Sequence, residues 1–136
     1  MNLSYAGIDA LETREGVRTK AYKDTKGIWT IGVGHTGPEV FSGLVWTLDK
    51  VSDVFMKDVQ WAVATVNTIQ KPLTQNQFDA LVSFVFNIGA TAFNNSTMKR
   101  MLNKGDIGGA AEQFDRWHTP VEIIGRRDSE KKQFLS

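Results

Sequence analysis

Cysteine is absent from the 136 residues, so no disulfide framework and no thiolate chemistry are available. Only two histidines occur, and His35 has no second ligand at a useful spacing, so no metal is expected. No cofactor is implied either. An excess of one charge is missing too. Sixteen Lys plus Arg face fifteen Asp plus Glu, and a net charge of +1 does not point to nucleic acid. No stretch reaches the roughly 18 apolar residues of a membrane span. The opening MNLSYAGIDALETREG lacks the basic start and unbroken apolar core of a secretory signal. If the target lies outside the cytoplasm, another factor must release the protein. Repeats and low-complexity runs are likewise absent. What remains is 41% hydrophobic and 23% charged, the balance of an ordinary globular chain forming one domain or two small lobes sharing a core.

The stretch that concentrates chemistry is EGVRTKAYKDTKGIWTIGVGHT, Glu15 to Thr36. Ser4 is a natural N-cap for a helix ending at Glu15, where Gly16 stops it, with Ile8, Leu11 and Tyr5 as the buried stripe. Glu15 is therefore a helix-terminal carboxylate. Thr19–Lys23 and Ile28–Val33 are β-favouring and flank Asp24-Thr25-Lys26-Gly27, a hairpin loop ending in Gly. Asp24 then sits at the mouth of the turn, and Thr30 points away from the face of Trp29 and Ile31. The segment from Gly32 to Pro38 breaks regular structure and is expected to be a loop. Residues 39–46 show no clean period and allow either a third strand or an irregular connection.

From Thr47 the pattern turns helical, with Val51, Val54, Phe55, Val59, Ala62, Val63 and Val66 recurring at three and four residues. Thr74 with Gln77 forms a capping-box pair for QNQFDALVSFVFNI, apolar nearly all round and ended by Gly89. Ser96 and Asp106 cap two shorter helices. The last helix is expected from about Ile124 to Leu135. The class is α+β: a small hairpin-containing lobe over about 16–50, and a mainly helical lobe over about 1–15 and 51–136. A long helix joins them in a single domain, 1–136.

Two carboxylates flanking a cleft are what glycoside hydrolysis requires: one acid to protonate the leaving oxygen, one ionised group to activate water. Spacing alone also allows Glu15 and Asp24 to be an ordinary helix end and turn, and Thr30 an ordinary strand residue. The whole string carries more. Glu15, eight residues, Asp24, five residues, Thr30, then Ile31-Gly32-x-Gly34-His35-Thr36 closely resembles the catalytic signature of phage-type lysozymes, the endolysins of glycoside hydrolase family 24. Similar anchors follow in order: Thr74-x-x-Gln77-x-Asp79-Ala80-Leu81 to Gly89, Ser96-Thr97 through Gly105-Asp106 to Trp117, and Arg126-Arg127-x-x-Glu130.

The resemblance implies a lysozyme-like fold and a muramidase that hydrolyses the β-1,4 bond between N-acetylmuramic acid and N-acetylglucosamine in bacterial peptidoglycan, lysing the host. Glu15 would be the general acid, while Asp24 and Thr30 would place the attacking water for an inverting reaction. Inversion needs roughly 6.5–9.5 Å between carboxyl groups, against about 5–5.5 Å for retention. Gly34, Thr36, Phe86, Asn87 and Ser96 would contact sugar, although Phe86 also suits core packing and Ser96 a helix cap. His35 would pair with Asp58, with a solvated loop histidine as the alternative. Arg126 or Arg127 would reach Glu15, or else both would cap surface carboxylates of the last helix. By the same resemblance the enzyme would be a monomer, held in the host cytoplasm until a holin opens the membrane, with no direct contact to the holin. WHTPVEIIGRR departs from the family's glycine-rich approach to the arginines. The rival readings are a lytic transglycosylase, a chitinase and a non-catalytic wall-binding module.

Overall fold

Ser4 opens the first helix, α1 (Tyr5–Glu15), by accepting a hydrogen bond from the Gly7 amide at 3.0 Å. In the computed structural model, which describes residues 1–136, the chain divides into two compact units, Ile8–Gln60 and Met1–Gly7 with Trp61–Ser136. Ile8 and Leu11 of α1 are buried, whereas Tyr5 is 91% exposed and so does not belong to the stripe read from the sequence. Helical periodicity places Tyr5 near that stripe, but nothing packs over its side chain. At its other end α1 stops where Gly16 adopts φ +85° and returns its amide to the Glu12 carbonyl at 2.8 Å.

Within Ile8–Gln60 three antiparallel strands lie in the order β1 (Arg18–Lys23), β2 (Trp29–Gly32) and β3 (His35–Thr36). Tyr22 faces Thr30 and Lys23 faces Trp29, with an irregularity in register between Arg18 and Tyr22. The Asp24–Gly27 turn is closed by the Gly27 amide on the Asp24 carbonyl (3.0 Å) and the Asp24 amide on the Ile28 carbonyl (2.9 Å). The expected loop after β2 is instead a second, tighter reversal. Gly32 and Gly34 take φ values of +69° and +70°, and this turns the chain within two residues so that His35 pairs with Ile31 and Thr36 with Thr30. Residues 37–47 are irregular apart from one bridge, Lys20 to Val45. Ala21, Ile31 and Val40 form a small core, covered by Trp29, Leu44 and Trp46. Thr47 caps α2 (Leu48–Asp58), and only Val59 separates it from α3 (Gln60–Val66).

The other unit is helical. α4 (Gln75–Ile88) begins with the full Thr74–Gln77 capping box, and every residue from Phe78 to Val85 is buried. It packs chiefly on α8 (Ile124–Leu135). Between them come α5 (Ala90–Asn94), α6 (Thr97–Lys104), α7 (Ile107–Gln113) and two 3₁₀ turns, Phe114–Arg116 and Val121–Ile123. Phe84 meets Phe114, Trp117 and Phe93 edge-on, with centroids 5.2, 5.7 and 6.4 Å away. Such contacts add about 0.5–1.5 kcal/mol each to the burial of the rings. Gly7 lets α1 approach α4: a Cβ there would lie 2.4 Å from the Asp79 carboxyl carbon. Asp79, 2% exposed, accepts from the Ser4 amide (3.1 Å), the Ser4 hydroxyl and the Gln75 amide (2.9 Å).

Candidate active site

The candidate catalytic groups of the hairpin unit are held by local backbone. Glu15 is exposed at the C-terminus of α1 and lines a cavity of about 370 Å³ with Gly16, Val17, Arg18, Tyr22, Val33 and Gly34. The Arg18 guanidinium lies 4.3 Å over the Tyr22 ring, so one wall of that cavity carries a cation stacked on an aromatic. Neither Arg18 nor Tyr22 stands out in the sequence, and the strand read there begins one residue later, at Thr19, than the observed β1.

Asp24 is fixed by the turn it begins. Its Oδ1 accepts from the amides of Lys26 (2.8 Å) and Ile28 (2.9 Å), an Asx-type arrangement that sets the plane of the carboxylate. Both bonds fall on one oxygen, which leaves Oδ2 to meet solvent or substrate. Thr30 is 4% exposed, and its hydroxyl donates to the Ile28 carbonyl at 3.0 Å. With its hydrogen spent, that oxygen presents only lone pairs and acts as an acceptor. Thr36, exposed on β3, pairs with Thr30 across the sheet.

His35 braces the hairpin at two points. Its Nδ1 lies 2.6 Å from Asp58 Oδ2 at the end of α2, and its Nε2 lies 2.6 Å from Glu39 Oε1. Burial opposes charge on the ring, but the hydrogen bonds of Glu39 and Asp58, with their negative charges, outweigh it and raise the pKa above 6.5. Glu39 is lowered in turn, first by its hydrogen bond to His35. The ring also tilts against Trp46 at 5.5 Å. Glu39 escaped the sequence reading, and its signal was only a four-residue spacing across an irregular segment.

The remaining candidates lie in the helical unit. Asn87 is exposed and its Oδ1 accepts from Arg127. Phe86 stacks on Trp61 at 5.8 Å with 27° between planes. The Ser96 hydroxyl is buried, accepts from the Lys99 amide (3.1 Å) and donates to the Phe93 carbonyl (2.6 Å), which is the work of a cap. Arg127, 2% exposed, bonds Glu130, Asn87 and the Trp117 carbonyl. Arg126 reaches Glu130 at 3.2 Å and the Ser83 carbonyl at 3.0 Å. Glu130 is fully buried, so these are not surface carboxylate caps. Burial draws the Arg127 guanidinium down, and the Glu130 charge opposes that shift.

The hairpin can therefore present an exposed acid, a carboxylate of fixed orientation and a hydroxyl acceptor, all positioned by turns. Comparison with known proteins gives this arrangement a context. The profile described as phage lysozyme matches residues 12–130. The endolysin of Salmonella phage P22 is 43% identical over 145 residues, an alignment covering 100% of this chain and 99% of that one. A solved structure of a P22 lysozyme mutant superposes with a TM-score of 0.95 at 42% identity, covering 100% of this chain and 99% of the other. The muramidase domain of SpmX from Asticaccaulis excentricus superposes with a TM-score of 0.89 at 38% identity over 99% of this chain and 98% of that domain.

Proposed function

This chain belongs to the phage lysozyme family, and from that premise we propose a division of labour for its muramidase reaction among Glu15, Asp24 and Thr30. The protein is a phage endolysin, a glycoside hydrolase of the lysozyme type acting on peptidoglycan. In the reading proposed here, Glu15 gives its proton to the glycosidic oxygen as the bond to the anomeric carbon breaks. Water attacks that carbon from the opposite face, and Asp24 takes the water's proton. Thr30 accepts the water's second hydrogen and so aims its lone pair at the sugar.

The observation that carries this reading is the spent hydroxyl of Thr30. A buried hydroxyl whose hydrogen goes to the Ile28 carbonyl has no base to take its proton and is a poor nucleophile, but its lone pairs can orient a donor. A water held between it and Asp24 Oδ2 favours direct displacement with inversion. Proton NMR of the first product formed tests this: the α-anomer should appear before mutarotation, whereas initial β-anomer would sink the inverting mechanism. An anhydro product in mass spectra would favour the transglycosylase instead. Glu15→Gln should still bind cell walls yet release no reducing sugar, while a wall-binding module would be indifferent to it.

No helix is long and apolar enough to cross a membrane. We further propose that the enzyme accumulates in the host cytoplasm as a monomer and reaches the wall when a holin opens the membrane. Bacteria expressing the chain alone should stay intact until chloroform is added. Spontaneous lysis at the same protein level would overturn this route.

A further inference from the structure

The chain's two histidines sit in clusters of opposite geometry. At His35 the two ring nitrogens face different carboxylates, each 2.6 Å away, so those three groups share no common point. At His118 one nitrogen and two carboxylates converge. His118 follows the 3₁₀ turn that carries Asp115, and Asp128 comes from α8; their ligand atoms lie within 4.8 Å of one another. The His118 side chain is 36% exposed, but its Nε2 atom is shielded and takes no hydrogen bond, and Asp115 Oδ1 lies 3.8 Å away. A buried polar atom left without a partner costs free energy, which makes this nitrogen the unexplained feature of the corner.

We propose that Asp115, His118 and Asp128 form a zinc-binding site. One imidazole nitrogen with two carboxylate oxygens suits zinc, whereas calcium and magnesium favour all-oxygen sets. Zinc bonds of about 2.0–2.2 Å require ligand atoms roughly 3–3.5 Å apart. Both aspartates are exposed, so rotation of their side chains supplies the contraction. Water completes the coordination. The two aspartates also line an open cavity of about 550 Å³ with Lys131, Lys132, Leu135 and Ser136.

The corner already attracts a cation. Lys131 Nζ lies 2.8 Å from Asp115 Oδ2, while His118 Nε2 lies 3.8 Å from Oδ1. Zinc and Lys131 therefore compete for the same negative field. The site also adjoins the buried ionic cluster: His118 follows Trp117, whose carbonyl accepts from Arg127 Nε at 3.1 Å, and Asp128 follows Arg127. A bound ion ties the segment after the 3₁₀ turn to α8 and braces that contact.

The test is calorimetric titration of the full chain with zinc chloride in metal-depleted buffer, alongside thermal melts with zinc or magnesium. One saturable site is expected, with a Tm rise for zinc and none for magnesium. His118→Ala and Asp128→Asn should each weaken binding roughly tenfold or more. Lys131→Ala should instead tighten it, because it removes the competing ammonium. Near-UV circular dichroism of each variant establishes that it is folded. Absence of saturable binding, equal response to magnesium, or undiminished affinity in folded His118→Ala would overturn the proposal. So would binding that disappears in His35→Asn while persisting in His118→Ala.

Discussion

Glu15 and Asp24 of the hairpin unit and Glu130 of α8 are held in opposite ways. Asp24 is oriented by two backbone amides, which are neutral donors, and Glu15 is exposed at a helix end. Glu130 is fully buried and neutralised by Arg126 and Arg127, with the Ser83 hydroxyl donating to it as well. A group kept for proton transfer needs access and a fixed direction. A group that holds two helices together needs its charge cancelled, because burying it uncompensated is costly. On the proposed roles of Glu15 and Asp24, the two regions separate chemistry from stability, and substitutions can be chosen to break that separation.

The largest effect is expected at Glu15. Glu15→Gln should lower kcat by about 10²–10⁴-fold, the worth of a positioned acid, with stability changed by less than about 0.5 kcal/mol, as for surface substitutions. A Tm drop as large as that of a core variant would erase the contrast. Glu130→Ala should do the reverse, destabilising by about 3–5 kcal/mol because two guanidinium groups lose their partner in the interior. Urea denaturation measures it, and an unchanged midpoint would show that the cluster contributes little. Next in size is Gly7→Ala, whose methyl would collide with the Asp79 carboxyl. Overpacking of this kind costs about 1–3 kcal/mol, and the loss should appear in the same denaturation curves while kcat is retained.

The smallest effect sharpens the comparison inside the hairpin itself. His35 is raised above 6.5 when folded, so its pairing stabilises fully below that value and fades as pH rises through the folded pKa. Glu39 is lowered from 4.5, so its share is present above that value and is lost as pH falls through its folded pKa. The stability gap between the parent and His35→Asn should therefore peak between those limits and close on either side. The pairs are partly exposed and screened by solvent, so this gap should be the smallest of the four effects. A gap independent of pH would mean that the ring acts through packing on Trp46 alone.

Much of the fold was legible because its signals are local. Ser4, Thr47, Thr74 with Gln77, Ser96 and Asp106 cap helices through neighbours within three residues. Gly16 and Gly27 likewise mark a helix stop and a turn that closes on the residues beside it. What escaped depends on residues far apart in the chain. Tyr5 looked buried from its spacing but has no core above it. His35–Thr36 looked like loop, because two glycines signal a break and do not reveal that a break of two residues returns the chain to pairing distance. Glu39, Arg18 and Tyr22 gained their places only once the strands had formed.

Taken by itself, the sequence determined the helix ends and the hairpin turn, since each depends on backbone conformations and hydrogen bonds within a few residues. The tertiary structure alone decided which charges are buried. Whether a carboxylate meets water, an amide or a guanidinium depends on what packs over it, and that separates Asp24 from Glu130 and leaves His118 Nε2 beside Asp115 without a hydrogen bond.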